Sequence, residues 1–208
     1  MDNLHPLESK VLLALTRQPD APPTLDQLAA STGLEPSQLS MAVEWLLAKS
    51  LIAVQAETVA HIASLTPIGE LFFEKYAPIE RVLSAAREAG QTGKRLTIQD
   101  IQAKEALEPS DVSKAVGTLK KEGAILIVQG GCIESTGRNS ATAEAMRSLL
   151  QELRSGQREL QSFPEPLRSV LQQHAVKRGN AREPFRIDER VTRSLVLAPV
   201  GQAVAVQL

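Results

Sequence analysis

The sequence predicts a mostly helical α+β protein made of tandem winged-helix modules, each a helix-turn-helix followed by a β-hairpin. Three observations predict it. First, Thr24 to Val54 returns at Thr97 to Ile127 without a gap, at an offset of 73 residues. The matches include Leu34-Glu35-Pro36-Ser37 with Leu107-Glu108-Pro109-Ser110, Ala42-Val43 with Ala115-Val116, and Leu46 with Leu119. Second, each copy reads as helix, turn, longer helix, then β-rich residues, so one supersecondary unit is used more than once. Third, related strand exits recur at Leu65-Thr66-Pro67-Ile68-Gly69, Ile133-Glu134-Ser135-Thr136-Gly137 and Leu197-Ala198-Pro199-Val200-Gly201. Three modules are therefore expected, over residues 1–77, 78–137 and 138–208.

The elements follow from local chemistry. Leu7, Val11 and Leu15 form one apolar stripe, a first helix that ends before Gln18-Pro19. Asp20-Ala21-Pro22-Pro23 is a loop, because residues before proline avoid helix. Thr24 and Thr97 are N-caps, and Gly33 suits the left-handed residue closing a helix. Pro36 and Pro109 open the longer helices, where no intrahelical N–H is lost. Leu51 to Val54 and Val59 to Leu65 are expected as the strands of the first wing. Helices follow from Pro67 through Tyr76 and from Pro78 to Gly90. Gly90 to Arg95 is a polar linker that fails as a phosphate loop, since its glycines are too close and no Ser or Thr follows Lys94. Gly130-Gly131 is a two-residue hairpin turn. The third unit is more divergent: helices around Met146–Leu153 and Leu167–Ala175, then a strand pair over Phe185–Glu189 and Val191–Leu197.

Composition narrows the function classes. With no apolar run of membrane length, no basic-then-apolar leader at Met1 to Pro6 and a single cysteine, Cys132, a soluble cytosolic protein is expected. Net charge is −1, yet residues 1–137 hold 12 Lys+Arg against 17 Asp+Glu, and residues 138–208 hold 11 against 7. The rear portion therefore carries the polyanion question. The RNA-contact candidates are Lys120 and Lys121 at a helix end, with Lys177, Arg178, Arg182, Arg186, Arg190 and Arg193 behind them. Cations aimed at phosphates give salt-dependent, sequence-tolerant affinity for a folded RNA; the competing reading is a solvated face and, for the lysines, a match to the helix dipole. Arg186 and Asp188 share a strand face, with Arg182 and Arg190 near loops. The first longer helix carries Glu35, Glu44 and only Lys49, so it packs on a module or a protein partner instead of reading DNA. His5, His61 and His174 lie far apart without metal-ligand spacing, and no nucleophile, paired carboxylates or other catalytic centre emerges.

Three ordered segments resemble the N-terminal region of the α subunit of archaeal/eukaryotic-type phenylalanyl-tRNA synthetase. They are Leu4-His5-Pro6-Leu7-Glu8 leading into Lys10 to Leu15, Leu65-Thr66-Pro67-Ile68-Gly69 with Pro78 to Leu83, and Ala115-Val116-Gly117-Thr118-Leu119-Lys120-Lys121-Glu122-Gly123. Thr118 stands where that family often has tryptophan, and Trp45 fills the matching slot of the first copy. The resemblance implies a tRNA-binding appendage without the class II catalytic domain. It further implies a synthetase β subunit as partner in a cytoplasmic heterotetramer, and ATP and Mg used by the parent enzyme, with no cofactor in this chain. A winged-helix DNA-binding regulator and a protein-interaction scaffold are the alternatives.

Overall fold

The structure, a computed structural model, describes residues 4–17, 21–177 and 182–208. It is α+β and mostly helical, with two three-stranded sheets among the described residues. The chain divides into two compact units, Met1–Ala60 with Glu189–Leu208, and His61–Asp188. The boundaries expected from the repeats, 77/78 and 137/138, lie elsewhere than these divisions.

The first unit holds α1 (Pro6–Thr16), α2 (Leu25–Thr32), α3 (Pro36–Ala48) and α10 (Pro199–Ala205). It also takes the opening of β1 (Ile52–Leu65) and the close of β6 (Phe185–Leu197). Val11, Leu12, Leu28, Ala42, Leu46 and Leu195 are its most deeply buried side chains. The second unit contains α4 (Pro67–Lys75), α5 (Pro78–Thr92), β2 (Leu96–Thr97), α6 (Ile98–Glu105), α7 (Pro109–Lys121), β3 (Ile125–Val128), β4 (Cys132–Ser135), α8 (Ala141–Arg154), β5 (Arg158–Glu159) and α9 (Glu165–Gln173). Its core gathers Ile101, Leu119, Ile125, Leu149, Leu150, Phe163 and Phe185. Helix α5 runs two residues past Gly90, and Gly93, at φ 66°, closes it.

The two copies agree residue by residue. Thr24 caps α2 in a reciprocal pair with Gln27, and Thr97 caps α6 in the same pair with Asp100. Helices α3 and α7 each span 13 residues from a first-turn proline. Left-handed residues fall at equivalent places, Gly33 with Ala106 and Ser50 with Gly123. One member of each pair is glycine and the other carries a side chain, so geometry is kept where residue type is not.

The returning strands are where the repeats part. In the second copy β3 turns through Gln129–Gly131 into β4, with Gly130 and Gly131 at φ 83° and 73°. The hairpin is as expected, its loop one residue longer. In the first copy no hairpin forms: the two expected strands are one uninterrupted strand, β1. The expected pair at Phe185–Leu197 is likewise a single strand, β6. The reason is local. Gln55-Ala56-Glu57-Thr58 and Asp188-Glu189-Arg190 contain no glycine to take the positive φ of a tight turn.

Partners come from elsewhere in the chain. Thr97 pairs with Cys132 on β4, and the equivalent Thr24 bridges Ser194 on β6. Thr136 N–H donates to Ala124 O at 3.0 Å, and Ala198 N–H donates to the equivalent Leu51 O at 3.0 Å. The close of β6 thus stands in the first copy where β4 stands in the second. A similar arrangement occurs in the second unit: β5 pairs with Ile62 and Ala63 of β1, and Thr66 N–H donates to Pro184 O at 3.0 Å. Strand β3 thus keeps its own returning strand, whereas β1 finds its partners elsewhere in the chain.

The strand exits share one device. Where β6 leaves for α10, a Cβ on Gly201 would stand 1.8 Å from Leu51 O; where β1 leaves for α4, one on Gly69 would stand 2.2 Å from Pro184 O. Only glycine admits that carbonyl against the first turn. Gly137 does a different job, making a left-handed turn (φ 79°) with nothing nearby.

Candidate nucleic-acid interface

In the second unit, α7 ends in Lys120 and Lys121, both exposed, and its last carbonyls favour cations there. The turn that follows brings in residues the sequence reading missed. An Nη atom of Arg138 lies 3.4 Å from where a Gly123 Cβ would be. Arg87 donates to Arg138 O at 3.0 Å and to Asn139 Oδ1 at 2.9 Å. The nearby acid, Glu122, is turned inward: Ser140 Oγ, Thr142 N–H and Thr142 Oγ1 all donate to it. Among the described residues Lys120, Lys121, Arg87 and Arg138 join no ion pair, so the end of α7 presents four cations. A signal was available, since Arg138 directly follows the Thr136-Gly137 exit that the repeats align.

The other second-unit candidates divide. Lys177 is exposed. Arg182 lies 3.7 Å from Glu108. Arg186 is exposed on β6, and Arg178 falls outside the described residues. Five further arginines of this unit have carboxylate partners: Arg81 with Glu105, Arg147 with Glu80, Arg154 with Glu70, Arg158 with Glu152, Arg168 with Glu165. Lys114, not among the candidates, lies 2.7 Å from Glu183, whose side chain is 9% exposed. Glu183 also faces His174 at 3.6 Å. Burial, then the charge of Lys114, pushes the His174 pKa below its ordinary value.

In the first unit, Arg190 is exposed within β6, at the i+4 spacing that gives it the face of Arg186 and Asp188; it is not near a loop. Arg193 has opposite parity and lies 2.8 Å from Glu57. On the outward face of α3, Met41 and Trp45 are 43% and 37% exposed beside the polar Gln38 and Glu44, and His5 packs edge-on against Trp45 with ring centroids 5.3 Å apart. The cationic rear portion is therefore not one structural body. By unit, residues 1–60 with 189–208 hold 5 Lys+Arg against 8 Asp+Glu, and residues 61–188 hold 18 against 16.

No helix among the described residues is long and apolar enough to cross a membrane. Among the same residues, no three metal-ligating side chains cluster. No protein-family profile matches the sequence. Over 98 residues, 47% of this chain, it is 33% identical to the phenylalanine–tRNA ligase α subunit of Thermococcus onnurineus (strain NA1), a match spanning 18% of that protein.

Proposed function

We propose that this chain docks tRNA for a phenylalanine–tRNA ligase of the α-subunit type, through winged-helix modules that grip phosphate and shape. The observation that carries it is the end of α7, where Lys120, Lys121, Arg138 and Arg87 join no ion pair among the described residues. The similarity to a phenylalanine–tRNA ligase α subunit supplies the choice of tRNA over other polyanions. The order α5, β2, α6, α7, β3, β4 with sheet order β2-β4-β3 supports the winged-helix reading of the second repeat. In this proposal aminoacylation, with its ATP and Mg, belongs to a domain other than these 208 residues. A synthetase β subunit is the protein partner and the cytoplasm the setting.

The test is filter binding of tRNA across a salt series. Affinity should fall steeply between about 50 and 200 mM salt, and the double change Lys120→Ala, Lys121→Ala should reduce the log–log slope by roughly 2. Lys104→Ala, whose ammonium is held 2.6 Å from Glu88, should leave it unchanged. Absence of tRNA binding at low salt, or equal affinity for duplex DNA, would sink the proposal.

A further inference from the structure

Helix α4 closes on Tyr76, whose backbone stands at φ 64° and ψ 146°. Positive φ suits glycine, and glycine closes α2 and α5, at Gly33 and Gly93. With its ψ outside the left-handed helical well, Tyr76 is strained, a condition that clusters at functional sites. The residue is 53% exposed, so core packing does not offset that strain. The ring is nevertheless held. The Arg147 guanidinium lies 4.3 Å from its centroid, and Arg147 is itself fixed, donating to Phe73 O at 3.0 Å and facing Glu80 at 3.8 Å. A cation over one face of an aromatic ring leaves the opposite face for a partner.

The ring borders a groove along α5. Glu80, Ser84 and Arg87 fall at i, i+4 and i+7, one helix face roughly 10 Å long. Hollows of about 490 and 300 Å³ share Glu80 and Ser84. The larger is lined by Tyr76, the smaller by Arg87, Asn139 and Arg147. The middle of the groove sets Arg147 against Glu80 and Glu144, which does not favour a phosphate. Its far end is cationic: Arg87 donates to Arg138 O at 3.0 Å and to Asn139 Oδ1 at 2.9 Å, beside the end of α7.

We propose that Tyr76 is a stacking platform for an unpaired base of the bound RNA, whose strand continues along α5 to set phosphates on Arg87 and Arg138. The inference rests on the RNA-binding reading above and adds a site to it. A fixed aromatic face with cations farther along the strand gives sequence-tolerant grip on unpaired nucleotides. A continuous duplex cannot use the ring, because its bases are already stacked on one another.

The experiment is fluorescence anisotropy of the full chain with three labelled RNAs. One is a blunt duplex, one carries short unpaired adenine tails at its 5′ and 3′ ends, and the last has the same tails made abasic. The tailed duplex should bind about tenfold more tightly than the blunt one, as for one stacked base. Abasic tails keep the phosphates and should lose most of that gain. Tyr76→Leu should weaken the tailed duplex about tenfold and leave the blunt one unchanged, whereas Tyr76→Phe should keep the preference. The double change Lys120→Ala, Lys121→Ala should weaken all three RNAs alike. The abasic probe needs no variant, so misfolding of Tyr76→Leu would leave the test intact. Equal affinity for blunt and tailed duplexes, abasic tails as good as intact ones, or a preference that survives Tyr76→Leu would overturn the platform alone. Failure of every RNA to bind at low salt would overturn the platform and the tRNA reading together.

Discussion

The second repeat closes on itself; the first does not. Through caps, helix lengths and left-handed residues the two are the same object, and they diverge four residues into the strand. There the second copy has Gln129-Gly130-Gly131, and the first runs straight on through Ala56-Glu57-Thr58. The difference teaches that helix-turn-helix geometry and wing closure are specified separately. Helical parts follow from apolar period and capping, which the copies share, whereas the hairpin depends on residues able to hold positive φ. Without them a strand keeps extending and satisfies its backbone on another part of the chain.

The sharpest way to break the comparison is at the exits. Gly201→Ala drives a methyl into Leu51 O, and Gly69→Ala one into Pro184 O, so each should lose more than about 3 kcal/mol in urea unfolding. Gly137→Ala, where only the left-handed backbone is at stake, should lose about 1 kcal/mol. Equal losses at the three sites would dissolve the distinction between close approach and turn. Next come the left-handed pairs. Gly33→Ala should cost about 1 kcal/mol and Ala106→Gly should gain about 0.5–1 kcal/mol, measured by thermal unfolding. A loss for Ala106→Gly would mean that the copies differ there after all.

The last contrast is read by pH, at His174 of the second unit. Native His174 is held below the usual 6.5, chiefly by burial. Between 6.5 and the native value the unfolded chain binds the proton and the native one does not. Stability from this group is therefore complete above 6.5 and falls as pH drops, at most by about 1.4 kcal/mol per pH unit. His174→Gln should flatten the acid limb of a stability–pH curve from denaturant titrations, and an unchanged limb would show that the imidazole plays no part.

Much of this was legible in the residues. The caps at Thr24 and Thr97, the first-turn prolines and the apolar stripes state their own positions, because helix signals are local. The partners of the first copy's strand were not, since which strand supplies them depends on pairing across more than a hundred residues. Even so, the lack of any turn former between Val54 and Val59 was visible and argued against a hairpin there. The candidate site was read in part. Lys120 and Lys121 stand at an exposed helix end as expected, but Arg87 and Arg138 join them only through tertiary placement. The arginines of the rear portion looked alike in sequence; Glu57 and Glu108, far off along the chain, occupy two of them.

Strand β6 has a bearing on synthesis. The helices nearest the start of this sequence emerge from the ribosome first, yet Leu195 of their core and the strand that covers them are made more than a hundred residues later. At ordinary translation rates the nascent first unit waits roughly ten seconds with its apolar side open, a natural interval for a chaperone. The first unit is complete only when residues 189–208 arrive, so a stop shortly before Glu189 would leave residues 1–60 without Leu195 and the strand that covers them.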